Sequence, residues 1–270
     1  MTSRRHMLAA ASAMVLGSIW GPARAGSPGA SSGGAGFDRT PRPGPPGLAC
    51  VSSGSPTACS LGAQPDNDPV PRGWTLIGVP GAKPARFTEQ ADGAIRITAD
   101  AAAGFLVRRL PGGGNARSVL TWHWLVSAAP PPSPPQLLGQ DDRPAAVHVV
   151  FADAPSDGGL GAMLRRWVRG AVLHDAFAGR VLTYMWGGTW PAGSRLSNPY
   201  LPGDGAIIVL RGPEARPGHW QMERVVPAED YRIAFGDPAP EVTHLALSAD
   251  TEDRGGCSSA LIRPPQFSST

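Results

Sequence analysis

Ten short runs rich in apolar and β-branched residues recur between Trp74 and Ile262. They are Trp74–Val79, Ala94–Thr98, Phe105–Leu110, Val119–Val126, Ala146–Phe151, Val181–Trp186, Ala206–Leu210, Trp220–Val225, Thr243–Ala249 and Ser259–Ile262. Several alternate with period two, the signature of a strand with one buried face. In Val119–Val126, Leu120, Trp122, Trp124 and Val126 share one face and His123 takes the other. In Ala146–Phe151, Val147, Val149 and Phe151 lie opposite His148. Ten such strands separated by Gly/Pro-rich loops predict an all-β fold, a jelly-roll-like β-sandwich. Alternation on strands assigns Trp122, Trp124 and Trp220 to its core.

Two stretches break the strand pattern. Leu160, Leu164, Trp167, Val168, Ala171 and Val172 form an apolar stripe at helical spacing beside Arg165, Arg166 and Arg169, which predicts a short amphipathic helix against the sandwich. A second helical turn is expected from Pro227, with Glu229 and Asp230 near its amino end. The segment Ala128–Gly139 holds PPPSPP and reads as an extended excursion from the core.

The amino-terminal quarter has no strand or helix period at all. Residues 26–72 are Gly-, Pro- and Ser-rich with few large apolar groups, too little to offset the entropy of ordering them, and are expected to form a disordered linker. Residues 1–25 read as a signal peptide. Arg4 and Arg5 precede an apolar run from Met7 to Trp20, and Ala23-Arg24-Ala25 fits a small-x-small cleavage site. That run is too short to span a bilayer, which takes about 20 residues. Ser3-Arg4-Arg5-His6-Met7-Leu8 resembles the twin-arginine export motif, and the general secretory route fits equally well. The sandwich domain is expected over residues 73–265, in the periplasm or outside the cell.

Cleavage after Ala25 would remove three of the 24 basic residues and no acidic one, leaving a chain formally balanced against its 21 acidic residues. The calculated pI near 9 then belongs largely to the leader. No basic stripe interleaved with aromatics remains to suggest a nucleic-acid partner, and no second apolar run suggests membrane insertion. Gly (35) and Pro (30) make up about a quarter of the chain, roughly twice the usual share, while Lys83 is the single lysine. Three cysteines would meet an oxidising compartment. Cys50 and Cys59 are close enough for a disulfide, with Cys257 left over. Gly47-Leu48-Ala49-Cys50 lies far from the apolar run and lacks the Leu of a lipoprotein box, so no lipid anchor is expected.

A series of segments carries a family resemblance. It runs from the strand Leu120-Thr121-Trp122-His123-Trp124 through Asp141-Asp142, Ala146–Phe151, Leu182-Thr183-Tyr184-Met185-Trp186 and Gly218-His219-Trp220. It ends with Asp230-Tyr231-Arg232-Ile233-Ala234-Phe235-Gly236 and Asp250-Thr251-Glu252. In order and spacing these resemble the bacterial family called domain of unknown function 3047, over about residues 74–262. The resemblance implies a fold like the jelly-roll sandwiches of carbohydrate-binding modules, and no assigned activity. His123 and His148 stand where that pattern leads one to expect Arg and Tyr, and the Gly-Asp-Ile often found after the acidic turn is missing.

Candidate chemistry is sparse. The chain has no G-x-S-x-G, H-E-x-x-H, Walker, G-x-G-x-x-G or C-x-x-C motif. No cofactor is required by any motif. Asp141 and Asp142 leave one loop, and Asp250, Glu252 and Asp253 cluster in another. If the two meet, their carboxylates suit calcium, a hard cation that takes oxygen ligands. The alternative is solvated acids paired with Arg143 and Arg254. Two of the carboxylates could instead serve as the acid and base of a glycosidase, at a separation of roughly 5 to 9.5 Å. His123 and His148 would face a common surface if their strands paired, giving a metal site of imidazoles; His174, His219 and His244 show no ligand spacing.

Aromatic residues suggest a ligand. Trp186 and Trp190 flank Gly187-Gly188, with Tyr184 before them and Tyr200 in the following loop. An exposed indole offers a platform for the apolar face of a sugar, and Trp190, in a Gly/Pro loop, is the residue least easily buried. The expected site is therefore Tyr184, Trp186 and Trp190, with polar contacts from His148 and Asp142. The leading expectation is a non-catalytic module for a carbohydrate or other cell-envelope ligand. A glycan-acting hydrolase or lyase using the loop carboxylates, and a structural protein-interaction module, are the alternatives.

Overall fold

The computed structural model describes residues 69–152 and 179–268. The expected signal peptide, most of the linker, Cys50, Cys59, the helix expected over 160–172 and His174 lie outside the described residues.

Thirteen described strands form two sheets. The first holds eight strands, in the order β1 (Thr75–Gly78), β5 (Ala102–Gly114), β12 (Val242–Asp250), β7 (Arg143–Phe151), β8 (Val181–Trp186), β10 (Gly205–Arg211) and β9 (Arg195–Ser197), with β2 (Lys83–Pro84) pairing β5. The second has five, in the order β11 (Gln221–Val225), β6 (Leu120–Ala128), β13 (Cys257–Phe267), β4 (Ile95–Asp100) and β3 (Arg86–Glu89). The protein is an all-β, jelly-roll-like sandwich. All ten runs read from the sequence correspond to strands; the short β2, β3 and β9 carry too few residues to show a period.

The core lies where the two inner faces meet. Alternate residues Leu120, Trp122, Trp124 and Val126 of β6 are buried there, against Tyr184 and Trp186 of β8 and Val147, Val149 and Phe151 of β7. Trp124 packs edge-on against Trp186 with ring centroids 5.6 Å apart, and Trp122 lies 5.7 Å from Tyr184. Such pairs contribute about 0.5–1.5 kcal/mol each beyond their burial.

The eight-stranded sheet is also buried on its outer face along its centre. Every residue of β7 and β8 is buried. The second face of Ala146–Phe151 is therefore less polar than its period-two pattern implies. Ala146 and Val150 are as apolar as their neighbours, and a strand covered on both sides reads as a near-continuous hydrophobic run. His148 is inside, not on the solvent side.

One helix is described, α1 (Pro227–Phe235), starting where the sequence predicts it. Pro227 opens it, Glu229 and Asp230 sit in its first turn, and Gly236 closes it at φ 80°. Tyr231 is its buried anchor, packed 4.6 Å from Phe151.

Several connections change sheets at one end of the sandwich. Ala101, at φ 43°, turns the chain from β4 into β5, and its N–H donates to the Gly256 carbonyl. The loop from β12 to β13 returns the chain to the second sheet, and is pinned to the first turn through the Thr251 N–H and the Ala102 carbonyl at 2.9 Å. The β6–β7 connection crosses at 129–142. These corners carry the acidic residues.

Candidate functional site

The two acidic loops meet. Asp142 accepts the backbone N–H of Asp253 on Oδ1 and that of Arg254 on Oδ2, each at 3.2 Å. Asp253 in turn accepts the Asp141 N–H at 3.3 Å. Carboxylate oxygens of Asp142, Asp250 and Asp253 lie within 4.8 Å of one another. Asp141 points elsewhere: its carboxylate pairs with Arg143 and accepts the Tyr200 hydroxyl at 2.8 Å. The Glu252 carboxylate is not in the group of three. Of the five acids singled out in the sequence, three therefore converge.

One cation is built into this cluster. Arg143 is buried, donates to Asp141, and lies 3.9 Å from Asp250. Burial works against its charge, but Asp141 and Asp250 more than offset this and hold its pKa above the ordinary value. The acids move the other way. Burial pushes the Asp250 carboxyl up to about 8, opposed by Arg143 and reinforced by Asp141. Asp253 rises to about 7 through burial and through its contact with Asp141. Asp142 is also raised by burial, although its two backbone donors pull it down. At neutral pH the cluster thus retains protons that free carboxylates would have released. A hard cation would relieve the same repulsion, and the all-oxygen donor set suits one.

Behind the cluster runs a buried polar chain. Arg143 reaches Ser248 Oγ at 3.4 Å, Ser248 Oγ lies 2.8 Å from His148 Nε2, and His148 Nδ1 lies 3.0 Å from Thr183 Oγ1. Burial, and secondarily Arg143, hold the imidazole well below its usual pKa, so it is neutral. His148 is thereby satisfied within the sheet and offers no contact to an external ligand. His123 sits on the other sheet, in register with Met222 and Arg263. The two histidines do not share a surface, because β6 and β7 belong to opposite layers.

The proline-rich segment is not an excursion. Ser133 is fully buried, donates its hydroxyl to the Asp142 carbonyl at 3.0 Å, and accepts the Thr189 N–H at 3.1 Å. Gly187 and Gly188 make this approach feasible. Both have positive φ, and a Cβ on Gly188 would stand 3.3 Å from the Ser133 carbonyl and Pro135.

Aromatic residues divide sharply. Tyr184 and Trp186 are 0% and 3% exposed, so neither can stack on a sugar; their strand faces inward. Tyr184 instead donates to Asp230 of α1 at 2.9 Å. Trp190 is 40% exposed, as its loop predicts. Its indole N–H donates to Gln136 Oε1 at 2.9 Å. Tyr200, 45% exposed, accepts the Gly139 N–H at 2.9 Å while donating to Asp141. Both rings are thus tied to the loop that exposes Leu137 and Leu138. Tyr200 joins Trp190 here although the expected site does not include it; its signal in the sequence is its place after Asn198-Pro199, in a turn outside any strand. Trp220 reverses its expectation too. It is 38% exposed, because it precedes β11 and lies beneath the Arg263 guanidinium, 4.8 Å from it, on the outer face of the five-stranded sheet.

Cys257 is disulfide-bonded. It is therefore not the odd cysteine that the sequence leads one to expect.

A family model described as a protein of unknown function, DUF3047, matches residues 72–264. The chain belongs to that family. No curated relative matches this DUF3047 protein by sequence. Among solved structures it is similar to a cellulase derived from Cel12A of Rhodothermus marinus, at 15% identity and a TM-score of 0.41, covering 73% of this chain and 92% of that one. It is also similar to the family 11 carbohydrate-binding module of Clostridium thermocellum, at 9% identity and a TM-score of 0.31, over 71% and 88% of the two chains. A family 12 xyloglucanase from Bacillus licheniformis aligns at 9% identity with a TM-score of 0.36, over 73% and 86%.

Proposed function

We propose that this DUF3047 protein is an exported, non-catalytic module that binds a carbohydrate of the cell envelope at the Trp190–Tyr200 end of the sandwich. The observation that carries the reading is the pair of exposed aromatic rings fixed in place by hydrogen bonds, Trp190 through Gln136 and Tyr200 through Gly139 and Asp141. Rings held in position lose little freedom when a sugar stacks on them, which favours binding. Leu137 and Leu138 extend the apolar surface, and polar edges of Gln136 and the acidic loop border it. Export is supported by the leader pattern and by the disulfide at Cys257, since such bonds persist in oxidising compartments.

The use made of Asp142 favours binding over hydrolysis. Both of its oxygens accept backbone N–H groups, so it clamps two loops together and is not free to act as an acid or base. The test is a panel of envelope glycans screened by calorimetry against the wild type and Trp190→Ala. Binding lost in the variant at unchanged melting temperature supports the reading. A panel in which no glycan binds, or in which Trp190→Ala binds as tightly as wild type, overturns it. Release of reducing ends on prolonged incubation would replace the module with an enzyme.

A further inference from the structure

The outer face of the five-stranded sheet is chemically unlike the acidic end. Register places its outward residues in rows. Met222, His123 and Arg263 lie side by side across β11, β6 and β13. Leu125, Leu261 and Arg96 form the next row across β6, β13 and β4. Arg224 lies beside Thr121. Met222 is 57% exposed, and Leu125 and Leu261 are half-buried. The contact with Arg263 puts the Trp220 ring on this same face.

Its charge is one-sided. The outward positions of β4, β6, β11 and β13 carry Arg96, Arg224 and Arg263. Their single carboxylate, Asp100, lies at the end of β4 and pairs with Lys83 at 3.3 Å. Asp92, in the β3–β4 turn, lies 3.7 Å from Arg263, with both side chains more than half exposed. Such an exposed pair contributes at most about 1 kcal/mol, so a ligand carboxylate can displace it. Guanidinium groups spaced over a flat sheet, beside an indole and a thioether, suit a partner that alternates carboxylates with flat apolar faces.

We propose that this face binds an acidic polysaccharide, one whose uronate carboxylates meet Arg263, Arg96 and Arg224 while a sugar ring covers Trp220 and Met222. The residues of this face are not those of the Trp190–Tyr200 site, and the inference stands independently of the function proposed for it.

The experiment is affinity electrophoresis and calorimetry of the full chain with polygalacturonate at low salt. Methyl-esterified polygalacturonate serves as the uncharged control and single-stranded DNA as the polyanion control. Binding is expected to weaken by about tenfold in Trp220→Ala and in Arg263→Gln, the scale of one lost stacking or charged contact. Arg224→Gln, which leaves the Trp220–Arg263 contact intact, should weaken it in the same direction, and Leu76→Ala, at an exposed position of the other sheet, should leave it unchanged. Melting temperatures of the surface variants should stay at the wild-type value. Four results overturn the proposal: no binding to polygalacturonate, equal binding to the ester, equal binding to DNA, or loss in Leu76→Ala alone.

Discussion

The carboxylate of Asp142 accepts the backbone N–H of Arg254 at 3.2 Å across 112 positions of sequence, and so locks the β6–β7 connection to the β12–β13 corner. The second oxygen does the same for Asp253. Replacing Asp142 by Ala leaves both donors without their acceptor, at about 1–3 kcal/mol for each that stays buried. Asp142→Asn keeps one acceptor oxygen and should lose roughly half as much. Chemical denaturation of both variants measures the difference. An Asp142→Ala variant as stable as wild type would show that the corner is held without the clamp.

Protonation of the same corner sets a pH dependence. Asp250 and Asp253 titrate near 8 and 7 in the folded state, against about 3.9 for an unfolded Asp, so the folded chain holds more protons than the unfolded one. Stability therefore falls as pH rises from about 4 through 8, when those protons are lost. His148 acts oppositely. Its depressed pKa gives stability that is present above about 6.5 and lost below it. The window from pH 6.5 to 8.5 isolates the carboxylates, and in EDTA the melting temperature should drop by several degrees across it. Asp250→Asn should flatten that drop. A melting temperature that rises across the window would contradict the raised carboxyls.

Calcium should act on the same three oxygens. An ion bound only by the folded state stabilises it in proportion to the logarithm of its concentration over Kd, about 2.7 kcal/mol at a hundredfold excess. Since the ion competes with protons, its effect should be larger at pH 8 than at pH 6. Thermal unfolding with EDTA and then with calcium up to about 10 mM covers the range of weak extracellular sites. Loss of the rise in Asp253→Asn assigns it to this cluster. No rise at either pH would mean that Arg143 and retained protons alone balance the carboxylates.

The strands were legible because their apolar periods are local, and the long ones betray themselves within six or seven residues. The layer each residue faces was less legible. Trp122, Trp124 and Trp220 all stand in strand-like runs, but Trp220 precedes the first residue of β11 and lies on the outward face beneath Arg263. Tyr184 and Trp186 carry the same aromatic signal as Trp190. What separates them is that β8 is central in its sheet, and sheet order is a property of long-range pairing. The meeting of Asp142 with Asp253 has the same origin. Sequence shows two acidic loops; only the corner at Ala101 and Thr251, where neighbouring connections change sheets, brings them together.

The disulfide at Cys257 gives the last prediction. Cys257 opens β13 opposite Asp100, at the corner that carries the acidic cluster. The bond ties the first residue of β13 to another cysteine. Closing a loop restricts the unfolded chain more as the loop lengthens, and such bonds typically contribute about 2–4 kcal/mol. For a domain of this size that corresponds to roughly 5–10 °C in melting temperature. Cys257→Ser, or reduction of the wild type, should lower the melting temperature by that amount, and reduction should leave the serine variant unchanged. Peptide mapping without reductant should recover Cys257 joined to a fragment containing Cys50 or Cys59. A free Cys257 thiol in protein purified under oxidising conditions would overturn the assignment and return the pairing to Cys50 with Cys59.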